Sequence, residues 1–191
     1  MHRIIIALIA LIALVSLTSL TLLVVAGGCG SSNANKAPDG GAEQSNFEPF
    51  RAKDLDGKTV NLADSVGRDV IFVSFWATYC EPCKTEMPFL QRFHDSYAKH
   101  GLTIVSVALD GPDTSAEVAP YIRKQGYTFR VVLDDSGDIA QSLNPSSTAP
   151  FAILVGRDGR VVRRITGFQS SEADHLEAEL KSLLAPVPAP P

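Results

Sequence analysis

Val70-Ile71-Phe72-Val73-Ser74-Phe75-Trp76, followed at once by Ala77-Thr78-Tyr79-Cys80-Glu81-Pro82-Cys83, is the stretch from which the rest of the chain can be read. Its first seven residues form a near-continuous apolar run, rich in β-branched and aromatic side chains, as expected of a central strand buried on both faces. A helix is expected from about Pro82 to His100, because Met87, Leu90, Phe93 and Tyr97 recur at three- and four-residue spacing. The strand therefore hands over to a helix at the two cysteines. Cys80 falls at the helix N-terminus, where free N–H groups and the macrodipole stabilise a thiolate. Cys83, one turn on, comes round to the same face and can close a disulfide with Cys80. Pro82 lacks only an N–H that the first turn would leave unpaired, so it stiffens the turn without breaking the helix.

Outward from this point, strands and helices alternate. Phe50–Leu55 and Thr59–Leu62 flank Asp56-Gly57, a hairpin turn signal. Leu102–Leu109 reads as a second buried strand. Residues 115–125 suggest a short helix, with Pro120 tolerable only in its first turn. Phe129–Leu133 adds a short strand and Asp138–Leu143 a weak helix. Phe151–Val155 and Arg160–Thr166, joined at Asp158-Gly159, make a second hairpin. The last helix has Ser171 and Asp174 as a capping box and Leu176, Leu180, Leu183 and Leu184 as its apolar stripe. The expected fold class is α/β, a mixed central sheet with helices on both faces.

The termini speak to location. In a chain of 191 residues, His2 and Arg3 precede Ile4–Ala26, which carry no charge, so residues 1–28 read as a signal peptide. The apolar segment is also long enough to span a bilayer uncleaved. Ala26-Gly27-Gly28-Cys29 puts small residues directly before a cysteine, which resembles the lipobox of bacterial lipoproteins, although Ala26 stands where Leu is usual. That resemblance implies cleavage before Cys29 and lipidation of it, and either anchor leaves the domain outside the cytoplasm. Residues 29–46 read as a flexible linker, 47–184 as the folded domain and 185–191 as a disordered Pro-rich tail. The net charge of −4 and the lack of any Lys/Arg run argue against nucleic-acid binding. Arg160, Arg163 and Arg164 read instead as one solvated strand face.

Of three cysteines, Cys29 is consumed by lipid in this reading, which leaves one pair. Cys80 and Cys83 close too small a loop to constrain the unfolded chain much, so the pair reads as working chemistry rather than a staple. Cys80 is expected to attack and Cys83 to resolve the mixed disulfide. Two other readings stay open. Half a zinc site would lack its other half, since His94, His100 and His175 are scattered; an inert disulfide would fit an exported protein.

Trp76-Ala77-Thr78-Tyr79-Cys80-Glu81-Pro82-Cys83, continued by Lys84-Thr85-Glu86-Met87-Pro88, resembles the active-site segment of TlpA/ResA-like thioredoxins, the membrane-tethered extracytoplasmic branch of the thioredoxin superfamily. The resemblance extends over roughly residues 47–184. It implies a thioredoxin fold with an N-terminal β-hairpin and an inserted strand–helix unit around Leu109–Leu133. It makes Pro150 the cis-proline that packs against the disulfide, and Glu86 an acidic residue that tunes the thiols. Trp76, Tyr79, Glu81 and Pro82 complete the active-site loop. Three departures matter: Tyr79 replaces the usual Trp, Phe151 follows the proline where a smaller polar residue is common, and Ser74 stands where thioredoxin has a buried Asp. The last leaves Glu86 to handle protons.

The resemblance implies a reductase of protein disulfides, such as apocytochrome c or metallochaperone cysteines, fed by a membrane electron donor. It needs no organic cofactor, and no metal, because the dithiol carries the electrons. A disulfide oxidase or isomerase, or a copper-binding assembly factor using both thiolates, are the alternatives. A peroxidatic role lacks its Pro-x-x-x-Thr/Ser-x-x-Cys segment.

Overall fold

The computed structural model describes residues 45–186. The expected signal peptide and Cys29 lie outside the described residues, as do most of the expected linker and of the Pro-rich tail. Strand β3 (Val70–Trp76) is the centre of the molecule, and all seven of its residues are buried. Burying a Val, Ile or Phe side chain stabilises by roughly 1.5–3 kcal/mol, so this strand alone anchors the core. It pairs parallel with β4 (Leu102–Ala108), which pairs parallel with β5 (Arg130–Leu133). On its other side β3 pairs antiparallel with β6 (Phe151–Val155), and β6 with β7 (Val161–Thr166). The order β5-β4-β3-β6-β7 is the mixed sheet that the alternating pattern implies. A separate hairpin, β1 (Arg51–Lys53) with β2 (Thr59–Asn61), turns at Asp54–Gly57, and a bridge from Asp54 to Val132 joins it to β5.

Both faces of the sheet are covered. Helices α1 (Glu81–Tyr97), α2 (Ser115–Gln125) and α4 (Ala173–Leu184) share one core with the even-numbered residues of β3, among them Phe72 and Trp76. The opposite core takes Ile71, Val73 and Phe75, the N-terminal hairpin and α3 (Asp138–Leu143). Of the α1 stripe, Met87, Leu90 and Phe93 are fully buried and Tyr97 partly so; of the α4 stripe, Leu176 and Leu180 are buried and Leu183 and Leu184 partly so. At the end of the sheet away from the cysteines, Gly101 turns the chain into β4 at φ 91°, and the Arg157 guanidinium packs 3.0 Å from where a Cβ would lie. Arg157 Nη1 and Nη2 donate to the Arg68 and His100 carbonyls at 2.8 and 2.9 Å, so no larger residue fits at 101 without displacing this tie.

Two local expectations are corrected. Pro120 lies in the second turn of α2, not its first. It is exposed, as is Ala116, whose carbonyl loses its N–H partner and can bond water instead. Pro88, inside α1, is exposed in the same way. Ser171 and Asp174 form no capping box. Residues Ser170–Glu172 make a 3₁₀ turn that runs straight into α4, so Glu172 occupies the cap position and no side chain caps it.

Candidate active site

Strand β3 ends at Trp76, and after three intervening residues the chain enters α1 with Cys80 as its N-cap. Extended backbone at Cys80 (φ −90°, ψ 99°) sets its Sγ to accept from the Cys83 N–H at 3.3 Å, one of the donors that every helix start leaves free. The two sulfurs are bonded, with the Cα atoms 5.3 Å apart. Access to them differs. Cys80 is half-buried and Cys83 is wholly buried. Pro82 takes the second helical position, and Glu81 pairs with Lys84 at 2.7 Å on the exposed side. Tyr79, 68 % exposed, stands next to Cys80 and faces solvent. Beside the turn, Glu81, Pro82 and Thr85 share a shallow cleft with Phe168 to Ser171.

The sheet brings in the remaining expected residues. Phe75 pairs with Phe151, so the preceding Pro150 lies level with Trp76 at the cysteine end of the sheet. The Ala149–Pro150 bond is cis, and Ala149 packs on the core that holds Cys83. Trp76 is fully buried with its ring 5.5 Å from that of Tyr121, and its Nε1 has no hydrogen-bond partner. Its place beneath the cysteine turn makes it a natural reporter of the redox state.

Glu86 is on α1, three residues beyond Cys83 and on the same helical face. It is 2 % exposed, and the Ser74 hydroxyl donates to its Oε2 at 3.1 Å. Burial pushes its carboxyl up to about 7, against the pull of the Ser74 hydrogen bond toward the ionised form. A carboxyl that titrates near neutrality in an apolar core, close to a thiol, can take or give a proton.

Asp110 is a site residue that the sequence reading missed. It follows β4 and is 1 % exposed. Its two carboxylate oxygens accept the Thr78 N–H at 3.2 and 3.0 Å, and Oδ1 also accepts the Thr78 hydroxyl. This clasp ties the loop before Cys80 to the neighbouring strand. One signal could have found it: β3 and β4 are parallel neighbours, so the first polar residue after the second apolar run must fall beside the cysteine turn. Among the described residues no three of His, Cys, Asp and Glu converge as a metal site.

Residues 44–164 match the AhpC/TSA family. The thiol–disulfide oxidoreductase ResA of Bacillus thuringiensis subsp. konkukian is 34 % identical over 134 residues, 70 % of this chain and 74 % of that protein. The ResA of Bacillus subtilis is 31 % identical over the same share of this chain. This chain belongs to the AhpC/TSA family, as a ResA-like thiol–disulfide oxidoreductase. Among solved structures, a Chlorobium tepidum protein assigned as the thiol:disulfide interchange protein DsbE superposes with a TM-score of 0.67 at 25 % identity, over 74 % of this chain and 97 % of that one. The thioredoxin-like fold expected from the cysteine segment is thus the observed one, and the enzyme's chemistry is dithiol–disulfide exchange. No helix among the described residues is long and apolar enough to cross a membrane.

Proposed function

We propose that the enzyme works as a reductase of protein disulfides outside the cytoplasm, held at a membrane through Cys29 and recharged by a membrane electron donor. The observation that carries this reading is the asymmetry of the pair, with Cys80 accessible at a helix N-terminus and Cys83 buried one turn from Glu86. In the reduced enzyme, the Cys80 thiolate attacks a client disulfide and forms a mixed disulfide. The first client sulfur leaves as a thiolate and takes a proton. Cys83 then gives its proton to the ionised Glu86 carboxylate and attacks Cys80 Sγ. The Cys80–Cys83 disulfide forms, and the second client thiolate departs and is protonated. Two electrons and two protons have moved to the client, with no organic cofactor and no metal, because the dithiol carries them. Pro150 and the loop residues Trp76, Tyr79, Glu81 and Pro82 frame the sulfur that meets the client. Clients of the apocytochrome c or metallochaperone type, with paired cysteines in exposed segments, suit an accessible Cys80 beside an exposed Tyr79. Tethering raises the effective concentration of enzyme and membrane donor.

The full-length protein in detergent micelles, equilibrated in redox buffers and followed by Trp76 fluorescence, tests the direction of electron flow. A potential near or below about −270 mV is expected for a dedicated reductant. A potential near about −120 mV would overturn the reading and make the enzyme an oxidant.

A further inference from the structure

Ser74 is the one polar residue in a strand that is otherwise entirely apolar, and it is 0 % exposed. A buried hydroxyl in a central strand weakens packing unless it is bonded, so its partner is informative. That partner is Glu86, from the helix that carries both cysteines. On the same face of the sheet, the register neighbours of Ser74 are Ser106 on β4 and Ala152 on β6. Ser106 is as buried as Ser74, but its hydroxyl has no hydrogen-bond partner. Two buried hydroxyls thus stand side by side, and only one reaches the carboxyl.

We infer that Ser74 is a positioning residue of the redox site, whose hydroxyl fixes the Glu86 carboxyl against β3 in the orientation from which it exchanges a proton with Cys83. A hydroxyl suits this task because it serves both states of the carboxyl: it donates to the carboxylate and accepts from the acid. The bond to the ionised form is the stronger one, so Ser74 also favours the carboxylate that must receive the proton. Among the described residues, no charge interaction acts beside burial and the Ser74 bond on Glu86. The core on this face of the sheet is built from uncharged residues, among them Ala152 on β6, Val118 and Ile122 on α2, and Leu176 and Leu180 on α4, with Ser106 on β4 in register with Ser74. On α1 the titratable neighbours are Cys80 and Cys83, while Glu81 and Lys84 pair with each other. Burial pushes the carboxyl up, and the Ser74 bond opposes it.

This inference rests on the reading of Glu86 as the proton acceptor, and one set of variants separates the two. In the oxidised full-length protein no thiol titrates, so the side-chain carboxyl of Glu86 can be followed by carbon NMR against pH. Ser74→Ala is expected to move its midpoint up by about one pH unit, as loss of a hydrogen bond to a charged group requires. Ser74→Thr, which keeps the hydroxyl, restores the original midpoint and stands in if the alanine variant misfolds. Ser106→Ala removes the neighbouring hydroxyl and leaves the midpoint where it was. An unmoved midpoint in Ser74→Ala, or an equal shift in Ser106→Ala, overturns the inference. Separately, Glu86→Gln should abolish the pH dependence of client reduction near neutrality. If that profile survives, the proton-acceptor reading of Glu86 falls, while the carboxyl titration still decides whether Ser74 positions it.

Discussion

Asp110 and Glu86 are both buried, at 1 % and 2 % exposed, and both serve the same cysteine turn, yet they are held in contrasting ways. Asp110 accepts the backbone N–H and the hydroxyl of Thr78 with its two oxygens, donors that come from the loop itself. Glu86 accepts one hydroxyl from a strand residue and is otherwise buried on the helix face that carries Cys83, Met87 and Leu90 into the core. A carboxyl group held by several convergent donors is a fixed anchor, because each bond restrains the loop that supplies its donor. A carboxyl with a single donor in an apolar core is left near its balance point. The fold thus uses one carboxylate to place the cysteines and keeps another free to titrate beside them.

The largest effect is expected where the anchor is removed. Asp110→Ala leaves the Thr78 N–H and hydroxyl buried without acceptors, each worth roughly 1–3 kcal/mol, so a total loss of about 3–4 kcal/mol should appear in urea denaturation. A loss below about 1 kcal/mol would mean that the loop holds itself and that the two carboxylates do not differ as argued.

Glu86 should show itself through pH instead. Its folded-state value of about 7 lies above the ordinary 4.5, so the folded chain holds a proton that the unfolded chain releases. The stability this confers is full below about pH 4.5 and is lost as pH rises through about 7. At about 1.36 kcal/mol per pH unit, the decline amounts to on the order of 3 kcal/mol. Glu86→Gln in the oxidised protein is expected to flatten that part of the stability–pH curve. An unchanged slope in urea titrations between pH 4.5 and 7 would place the decline elsewhere and erase the contrast with Asp110.

What the sequence disclosed follows the same division. The buried run of β3, the helical stripe of α1 and the cysteine pair at their junction are local patterns, each carried by residues a few positions apart, and all appear where expected. The cis bond at Ala149–Pro150 was expected from the family resemblance alone, since nothing local distinguishes it from any X-Pro. The Thr78–Asp110 clasp joins residues 32 positions apart, and the Ser74–Glu86 bond joins a strand to a helix; both exist only once β3, β4 and α1 are packed. Ser74 was legible as a departure from thioredoxin's Asp but not as a partner of Glu86. The failed capping box at Ser171 and Asp174 has a different cause. A 3₁₀ turn supplies the lead-in to α4, and such a turn looks like helix in sequence.

The smallest expected effect sharpens the account of the anchor most. Thr78→Val removes the hydroxyl and leaves the N–H bonded to both Asp110 oxygens, so a loss of about 1 kcal/mol is expected. The clasp lies on the strand side of Cys80 and involves neither sulfur, so it should hold the oxidised and reduced forms alike. A loss of that size confined to one form would move the redox potential by about 20 mV. The expectation is therefore a stability loss, measured by urea denaturation of both redox forms, with a potential displaced by much less than that. A displaced potential would mean that Asp110 and Thr78 discriminate between the dithiol and the disulfide. The anchor would then share with Glu86 the work of setting the chemistry, and the division between a carboxylate that places and one that titrates would not hold.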